Sequence, residues 1–444
     1  MELLSCPENV LYAFLMLDIT FIRENLELIK AGAKKKHITV DLDKLIEVDE
    51  KRRTLMTQSE MMRAEQNAVS DKVVQITDAA EKSRVIDEMR ALKEKLQTKE
   101  KELEEISKEW QLLMVQVPNI PDPSVPEGDS DADNKEVRVW GDKPNFTFTP
   151  KSHVELMQNL DIADFERGTK TAGFRGYFLK GDGALLNYAV WNFVMDHFVK
   201  KGGFMPMLVP SLVKRTAFLG TGYLPQGEED LYKTQDGDFL AGTGEVATMA
   251  YHMNETIPQA SLPLKFISFS PCFRREAGSH GKDTKGIMRV HEFFKFEQVV
   301  LCEGTHEESV RLHEELTKNA EELLQILEIP YHVVLNCGGD LGLGQVKKYD
   351  IESWVPSEGK YRETHSSSYF HDFQTRRLNI KYKDESGKMH YAHSLNNTAL
   401  ATPRILISLI ENNQEEDGSI RIPKALQPYF GKDKIDASPK GGGK

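Results

Sequence analysis

Apolar side chains between residues 45 and 117 recur at alternating spacings of three and four, which is the pattern of a coiled-coil helix. One series runs from Leu45 to Ile76 and a second from Val85 to Val117. Each is about five heptads, or roughly 45–50 Å of helix at about 1.5 Å per residue. Two helices of equal length around one short break, at 77–83, predict an antiparallel coiled-coil hairpin. By itself, this pattern fits a dimerisation or spacer arm as well as a binding arm.

A proline-rich segment follows the predicted hairpin. Four prolines between residues 118 and 126 oppose helix formation and an acidic tract follows them, so we predict an interdomain linker over 118–136. From 137 to 431, strand-like runs alternate with few helical patterns, which predicts an α+β domain with an antiparallel sheet flanked by helices. Within it we predict helices at 307–327 and 399–411 and a strand at 378–382. The predicted order is an extension (1–15), a helical hairpin domain (16–117), the linker (118–136), the α+β domain (137–431) and a disordered tail (432–444).

The composition narrows the classes of partner. The 444 residues carry a formal net charge of −12, so nucleic acid would have to be bound by local basic patches. The four cysteines are widely separated, which predicts neither disulfides nor a zinc site and favours a cytoplasmic location. The apolar run at 10–17 is too short to span a membrane, so we expect no membrane association.

The densest cluster of functional side chains lies between Phe273 and Phe293. Two strand-like segments enclose a loop containing glycine and lysine, with Arg274 and Arg275 on one side and Arg289 on the other. Guanidinium groups suit bidentate binding of phosphate or carboxylate, and Phe293 offers an aromatic face to a base. A salt-bridged surface hairpin would show the same pattern. The residues of this stretch therefore leave both interpretations open.

Together with further blocks, this stretch resembles the seryl-tRNA synthetase family. Residues 273–293 resemble motif 2 of the class II synthetases in its seryl form, 394–412 resemble motif 3, and the helix and strand ending at Pro210 resemble motif 1, the dimer element. Thr243-Gly244-Glu245 is similar to the serine-binding T-x-E loop of that family. The blocks occur in the family's order and cover nearly all of 16–431. The resemblance implies a class II catalytic domain that carries an N-terminal tRNA-binding hairpin.

The resemblance implies an ATP-dependent ligase that activates L-serine as seryl-adenylate and transfers the seryl group to the 3′ end of serine tRNA, with selenocysteine tRNA as a second candidate acceptor. Arg274 would hold the α-phosphate beside the serine carboxylate, while Arg289 and Arg404 would bind the distal phosphates and complete the catalytic trio. Glu363 and Ser366 would carry Mg²⁺, and no zinc is expected. The ATP-binding candidates are Arg274, Arg275, Glu276, Arg289, Val290, Phe293, Glu363, Thr364, His365, Ser366 and Arg404.

The implied serine pocket contains two acidic residues, of which one would meet the ammonium group and the other the hydroxyl; the sequence does not assign them. Its members are Thr243, Gly244, Glu245, Arg274, Glu297 and Thr398. A buried partner for the hydroxyl would exclude alanine, because an unpaired polar group costs about 1–3 kcal/mol. The chain departs from the family pattern at Gly244, at Asn397-Thr398 and at His365. Each change keeps hydrogen-bonding capacity nearby, so we expect serine selectivity to be retained.

The net charge of the hairpin does not indicate RNA binding, since 41–117 contains 14 Lys and Arg against 18 Asp and Glu. The resemblance implies that it reaches across a homodimer to the variable arm and elbow of serine tRNA, recognising shape. The candidate tRNA contacts are Lys34, Lys35, Lys36, Arg84, Arg90, Lys93, Lys95, Lys282 and Lys285, each of which could instead be a solvated flank.

Two rival functions remain to be weighed. A paralogue that delivers the amino acid to another acceptor is expected to lack the hairpin, which is present here. A non-catalytic RNA-binding protein or scaffold on the same fold would not need Arg274, Glu363 and Arg404, and all three are present.

Overall fold

The computed structural model describes residues 17–73, 76–278, 281 and 283–437. These residues form two compact units. One unit comprises Asp18–Lys34 and Ile38–Pro118, and the other contains Lys35–His37 and the chain from Asn119 onwards. No helix in the described ranges is both long enough and apolar enough to cross a membrane.

The first unit is helical. Its helices are α1 (Ile19–Glu24), α2 (Leu26–Lys35), α3 (Leu42–Val73) and α4 (Ala79–Met114). Helices α3 and α4 run antiparallel, since Lys44 lies 3.6 Å from Glu109 near one end and Arg63 lies 2.6 Å from Glu100 further along. The predicted coiled-coil hairpin is therefore confirmed. The predicted break is too long at its far end, because Asp78 caps α4 and the helix begins at Ala79.

The second unit combines short helices with one large sheet. Its helices are α5 (His153–Asn159), α6 (Phe165–Ala172), α7 (Asp182–Lys201), α8 (Arg215–Thr221), α9 (Gly244–Ala250), α10 (His306–Ile326), α11 (Phe373–Leu378), α12 (Arg404–Asn412) and α13 (Gln427–Phe430). Apolar residues of α7, α10 and α12 join the sheet in the largest buried cluster of the described chain. This burial supplies most of the driving force for folding of the unit.

The strands fall into one large sheet and several small ones. They are β1 (Lys135–Trp140), β2 (Ala163–Asp164), β3 (Phe178–Leu179), β4 (Met205–Leu208), β5 (Leu212–Val213), β6 (Tyr232–Lys233), β7 (Phe239–Leu240), β8 (Thr256–Pro258), β9 (Leu264–Phe273), β10 (Glu292–Cys302), β11 (Tyr331–Leu335), β12 (Lys347–Val355), β13 (Lys360–His371), β14 (Lys381–Lys383), β15 (Met389–Tyr391), β16 (His393–Thr402), β17 (Ile420–Arg421) and β18 (Lys434–Ile435). The large sheet has the order β1-β11-β12-β13-β16-β10-β9-β4. Only β4 pairs in parallel there, with β9, so the predicted α+β class with an antiparallel sheet is confirmed.

Two local predictions are wrong in part. Residues 399–402 continue strand β16, where Thr402 pairs with Phe294, and the helix begins only at Arg404. Leu378 ends α11, and the following strand begins at Lys381. An apolar run shows the same hydrophobicity in a buried strand and a buried helix, which explains the first error.

The chain on either side of the α+β region is also ordered where it is described. Asn119, at the start of the predicted linker, is buried and donates from its side chain to the carbonyls of Gly344 at 3.1 Å and Phe370 at 2.7 Å. In the predicted disordered tail, Ile435 is buried and pairs with Ile420. That prediction is therefore wrong for 434–435, while 438–444 lie outside the described residues.

Candidate active site

One pocket opens over the centre of the large sheet, where the ends of β9 and β10 meet β13, β16 and the start of α12. The three predicted arginines line this common pocket together with the predicted aromatic and acidic residues. Its lining is Arg274, Glu276, Ile287, Met288, Arg289, Val290, Phe293, Lys295, Glu363, Thr364, Ser366, Thr398, Ala401, Thr402, Pro403 and Arg404. The structure thus brings most of the predicted ATP-binding residues together in the lining of one pocket.

A β-bulge in β13 explains which side chains reach the pocket. Glu352 of β12 pairs with Glu363, but the adjacent Ile351 pairs with His365, so Thr364 is the extra residue. The bulge lets Glu363, Thr364 and Ser366 all line the pocket, whereas strict alternation would have separated the first two.

The His365 side chain does not line the pocket, so its predicted contact with ATP stays a prediction that the imidazole does not support. The imidazole is buried beneath the strand, where its Nδ1 lies 2.8 Å from the Thr364 hydroxyl. Burial lowers the pKa of His365 to about 4, so the ring is neutral near pH 7.

Arg275, another predicted ATP contact, is also outside the pocket lining. Its backbone N–H donates to the Asp230 carbonyl and its side chain is exposed.

Arg404 is fixed at the base of the pocket by backbone carbonyls. Its Nε donates to the Met288 carbonyl at 3.1 Å and its Nη1 donates to the Glu363 carbonyl at 2.9 Å. The Glu363 carboxylate lies 3.9 Å from the same guanidinium. Desolvation raises the pKa of Glu363, but the positive charges led by Arg404 and Lys348 outweigh it and lower the pKa below its ordinary value. The pocket therefore holds an ionised carboxylate among cations.

On the opposite wall, Arg289 is paired with Glu276. Its Nη1 donates to the Glu276 carboxylate at 2.6 Å, and Arg175 lies 3.9 Å from the same carboxylate. The Arg274 guanidinium lies over the Phe293 ring, 5.2 Å from its centroid. These contacts place the two motif 2 arginines, the carboxylate and the aromatic face side by side.

Next to this pocket, the predicted serine-binding residues form an acidic cluster. The Thr243 hydroxyl donates to the Glu297 carboxylate at 2.8 Å, and Lys295 forms an ion pair with Glu297. Arg274 donates from Nε to the Gly242 carbonyl at 3.2 Å, which ties the cluster to the pocket. Glu245, in the first turn of α9, is buried. Burial, followed by the charge of Glu297, raises the pKa of Glu245.

Gly244 occupies a tight position between these acids. A Cβ atom added there would lie 3.0 Å from the Ser268 hydroxyl oxygen and 3.2 Å from that of Ser270. The glycine therefore leaves room that an alanine would fill at the edge of the acidic cluster.

Sequence reasoning missed three side chains in this region: Lys295, Tyr223 and Gln374. Lys295 had a signal, since it lies two residues before Glu297 on the same strand and so shares its face. Tyr223 and Gln374 contact Glu245 across 22 and 129 residues of sequence, a separation that no local pattern reveals.

The basic residues proposed for tRNA differ in their availability. Lys36 is buried and donates its ammonium group to the carbonyls of Gly342, Leu343 and Gln345, so its predicted role as a phosphate contact is wrong. Lys35 lies 3.4 Å from Glu127. The remaining described candidates are exposed, namely Lys34, Arg84, Arg90, Lys93, Lys95 and Lys285, while Lys282 lies outside the described residues.

Comparison with known proteins agrees with this geometry. Residues 232–413 match the class II tRNA synthetase core domain of the G, H, P, S and T enzymes, so the fold is that of a class II synthetase. Residues 16–121 match the seryl-tRNA synthetase N-terminal domain.

Individual relatives narrow the class further. The serine–tRNA ligase of Deinococcus radiodurans is 46% identical over 94% of this chain and 98% of its own length, and that of Treponema denticola is 42% identical over 95% and 100%. The crystal structure of seryl-tRNA synthetase from Pyrococcus horikoshii complexed with ATP superposes with a TM-score of 0.88 at 38% identity, covering 96% of this chain and 100% of that one. The chain belongs to the seryl-tRNA synthetase family.

Proposed function

We propose that this protein is a serine–tRNA ligase that acts in the cytoplasm as a homodimer. It activates L-serine with ATP and transfers the seryl group to the 3′ end of serine tRNA. The observation that carries the proposal is the convergence of Arg274, Arg289 and Arg404 in one pocket beside a buried acidic cluster. Relatives named serine–tRNA ligase match this chain over nearly its whole length, and one is solved as an ATP complex.

Activation joins two anions, so the pocket has to supply charge and alignment. A serine carboxylate oxygen forms a bond to the α-phosphorus, the bond from that phosphorus to the α,β-bridging oxygen breaks, and pyrophosphate leaves. Arg274 holds the carboxylate beside the α-phosphate, while Arg289 and Arg404 offset the charge that moves onto the leaving phosphates. Preorganised cations of this kind stabilise the transition state without a proton shuttle.

The donor set on β13 fits a magnesium ion. Glu363 is ionised and half-exposed to the pocket, and Ser366 adds a hydroxyl on the same wall. A hard cation that takes its remaining ligands from phosphates and water needs few protein oxygens, and no cluster of three acidic, His or Cys ligands occurs within the described residues. We propose that Glu363 and Ser366 hold Mg²⁺, which when bound neutralises phosphate charge.

Serine is selected in the acidic cluster. Glu297 is already paired with Lys295 and Thr243, whereas the two partners of Glu245 are neutral side chains. We therefore assign the ammonium group to Glu245 and the hydroxyl to Glu297 and Thr398. Alanine would leave the Thr398 hydroxyl without its substrate partner and Glu297 with one hydrogen bond fewer, and threonine would need room for one more methyl group.

In the second step, a ribose hydroxyl at the 3′ end of the tRNA attacks the carbonyl carbon of seryl-adenylate. A new ester bond forms, the acyl–phosphate bond breaks, and AMP leaves. The hairpin of α3 and α4 carries the exposed Lys93 and Lys95, which we propose as contacts to the tRNA backbone.

The homodimer is supported by a sheet edge that has no partner strand among the described residues and that carries apolar side chains. Strand β4 is the last strand of the large sheet, and Leu208 and Met205 on it are 82% and 53% exposed. Tyr188 and Leu185 on α7 are also exposed. An open edge with such side chains favours pairing with a second copy, so Leu208→Lys should convert the dimer into a monomer in light scattering after gel filtration.

Serine-dependent exchange of pyrophosphate into ATP, followed by aminoacylation of serine tRNA with and without its variable arm, tests the function. We expect exchange with serine, and transfer that falls when the variable arm is removed. Exchange without transfer would indicate the paralogue, and the absence of exchange would indicate the scaffold.

A further inference from the structure

The carboxylate of Glu245 is held on both oxygens by side chains from distant parts of the chain. The Tyr223 hydroxyl donates to Oε2 at 2.8 Å, and the Gln374 amide donates from Nε2 to Oε1 at 2.6 Å. Glu245 and Gln374 are almost fully buried. Tyr223 follows α8, Glu245 begins α9 and Gln374 lies in α11, so three helices converge on this one carboxylate.

The neighbours of Gln374 fix which end of its amide faces Glu245. Its Nε2 also donates to the Thr221 carbonyl at 3.2 Å, and its Oε1 accepts from the Ser394 hydroxyl at 2.8 Å. Because a backbone carbonyl can only accept, the NH₂ end of the amide points towards Thr221 and therefore towards Glu245. The amide consequently presents a donor, which favours an ionised carboxylate.

The Tyr223 hydroxyl also favours the ionised form of the Glu245 carboxylate, because it donates a hydrogen bond to it. Desolvation, with the adjacent Glu245 charge next in importance, raises the pKa of Tyr223 well above its ordinary value, so its hydroxyl remains a donor. Burial and Glu297 raise the pKa of Glu245, whereas the hydrogen bonds from Gln374 and Tyr223 lower it. Without the two donors, the carboxylate would be both freer to rotate and easier to protonate.

We propose that Tyr223 and Gln374 are positioning residues for amino-acid recognition, which hold Glu245 ionised and oriented towards the substrate ammonium group. The inference rests on the proposed serine pocket. It gives the two side chains a role in serine binding and none in binding ATP.

Two substitutions that nearly preserve side-chain volume test the proposal. The serine defect of the first should worsen as pH falls, and that of the second should lessen. Tyr223→Phe removes one donor, so the KM for serine in the exchange assay should rise about tenfold while the KM for ATP changes less than twofold. The acid limb of kcat/KM for serine should move to higher pH, because Glu245 is protonated more easily. In Gln374→Glu the new carboxyl group can donate to Glu245 only while it is protonated, so its serine defect should shrink as pH falls.

Tyr369→Phe is the matched control, since this buried tyrosine donates to the Asp122 carboxylate at 2.8 Å away from the acidic cluster. It should leave both KM values and the pH limb unchanged. Equal effects of Tyr223→Phe and Tyr369→Phe, a parallel rise of both KM values, or unmoved pH limbs would overturn the inference. Absence of serine-dependent exchange in the unmodified protein would instead overturn the proposed function. Melting temperatures of the three variants separate any loss of folding from loss of recognition.

Discussion

Arg289 and Glu276 form an ion pair in the pocket, in which the guanidinium donates to the carboxylate at 2.6 Å. Both are predicted ATP contacts that line the pocket, and we propose separate tasks for them: Arg289 binds the distal phosphates, and Glu276 accepts a hydrogen bond from the adenine amino group. A carboxylate has two acceptor oxygens and a guanidinium has five N–H donors, so this one hydrogen bond is compatible with both tasks and aligns the two groups before ATP binds.

Glu276→Gln should weaken the choice of base. A carboxylate only accepts, so it favours the amino group of adenine and repels the carbonyl oxygen of guanine, whereas an amide can turn and donate. We expect the ratio of kcat/KM for ATP over GTP in serine-dependent exchange to fall about tenfold. Glu328→Gln, which alters an exposed pair with Arg421 outside the pocket lining, is the control and should leave the ratio unchanged.

Thr398→Ala should relax the discrimination between serine and alanine. Thr398 is buried and lines the pocket, so deleting its hydroxyl removes one proposed partner of the substrate hydroxyl. The loss of one such hydrogen bond corresponds to about 1 kcal/mol or more, and the serine-to-alanine ratio of kcat/KM should fall at least fivefold. Thr398→Ser keeps the hydroxyl and should retain the ratio; an equal loss in both variants would contradict the assignment.

His371 should make the fold sensitive to acid. Its Nε2 lies 3.2 Å from Nδ1 of His306, and its ring centroid lies 4.9 Å from that of His393. Burial, with the neighbouring imidazoles, lowers the pKa of His371 to about 3. Since the unfolded chain binds this proton near pH 6.5 and the folded chain does not, the stability is present above that pH and declines as pH falls towards 3.

His371→Asn should therefore flatten the acid side of the stability curve. Asparagine suits the positive φ of 49° at this position. Between pH 7.5 and 5, the variant should lose about 1–2 kcal/mol less unfolding free energy than the unmodified protein, measured by urea denaturation. Identical pH dependence of the two proteins would exclude His371 as the source.

Lys93→Glu combined with Lys95→Glu should separate the two steps of the reaction. Both lysines are exposed on α4, so reversing their charge should raise the KM for serine tRNA about tenfold or more while the exchange rate stays unchanged. The double variant should also show a weaker salt dependence of aminoacylation. Lys424→Glu, a charge reversal in the other unit, is the matched control.

The regular parts of the fold could be predicted from periodicity, because the heptad pattern in α3 and α4 and the apolar strand runs reflect which faces are buried. The local errors arose where tertiary pairing decided the outcome. The bulge at Thr364 turned His365 away from the pocket, and pairing with β10 kept 399–402 in a strand. The spacing of neighbouring residues in the sequence predicts neither the bulge nor this strand pairing.

The candidate site was predictable as far as its residues form recognisable blocks. Arg274, Arg289 and Arg404 lie in such blocks and converge as expected. Tyr223 and Gln374 reach Glu245 only through the packing of α8, α9 and α11, and single residues brought together by packing give no comparable signal.

The ammonium group of Lys36 has a consequence for dividing this protein into pieces. It caps three main-chain oxygens between residues 342 and 345, although it precedes the long hairpin in the chain. A protein fragment that started at residue 119 would lack Lys36, and those three carbonyl oxygens would lose their hydrogen-bond donor. An isolated synthetase core should therefore be built as a fusion in which a short linker replaces the hairpin and residues 35–37 are kept.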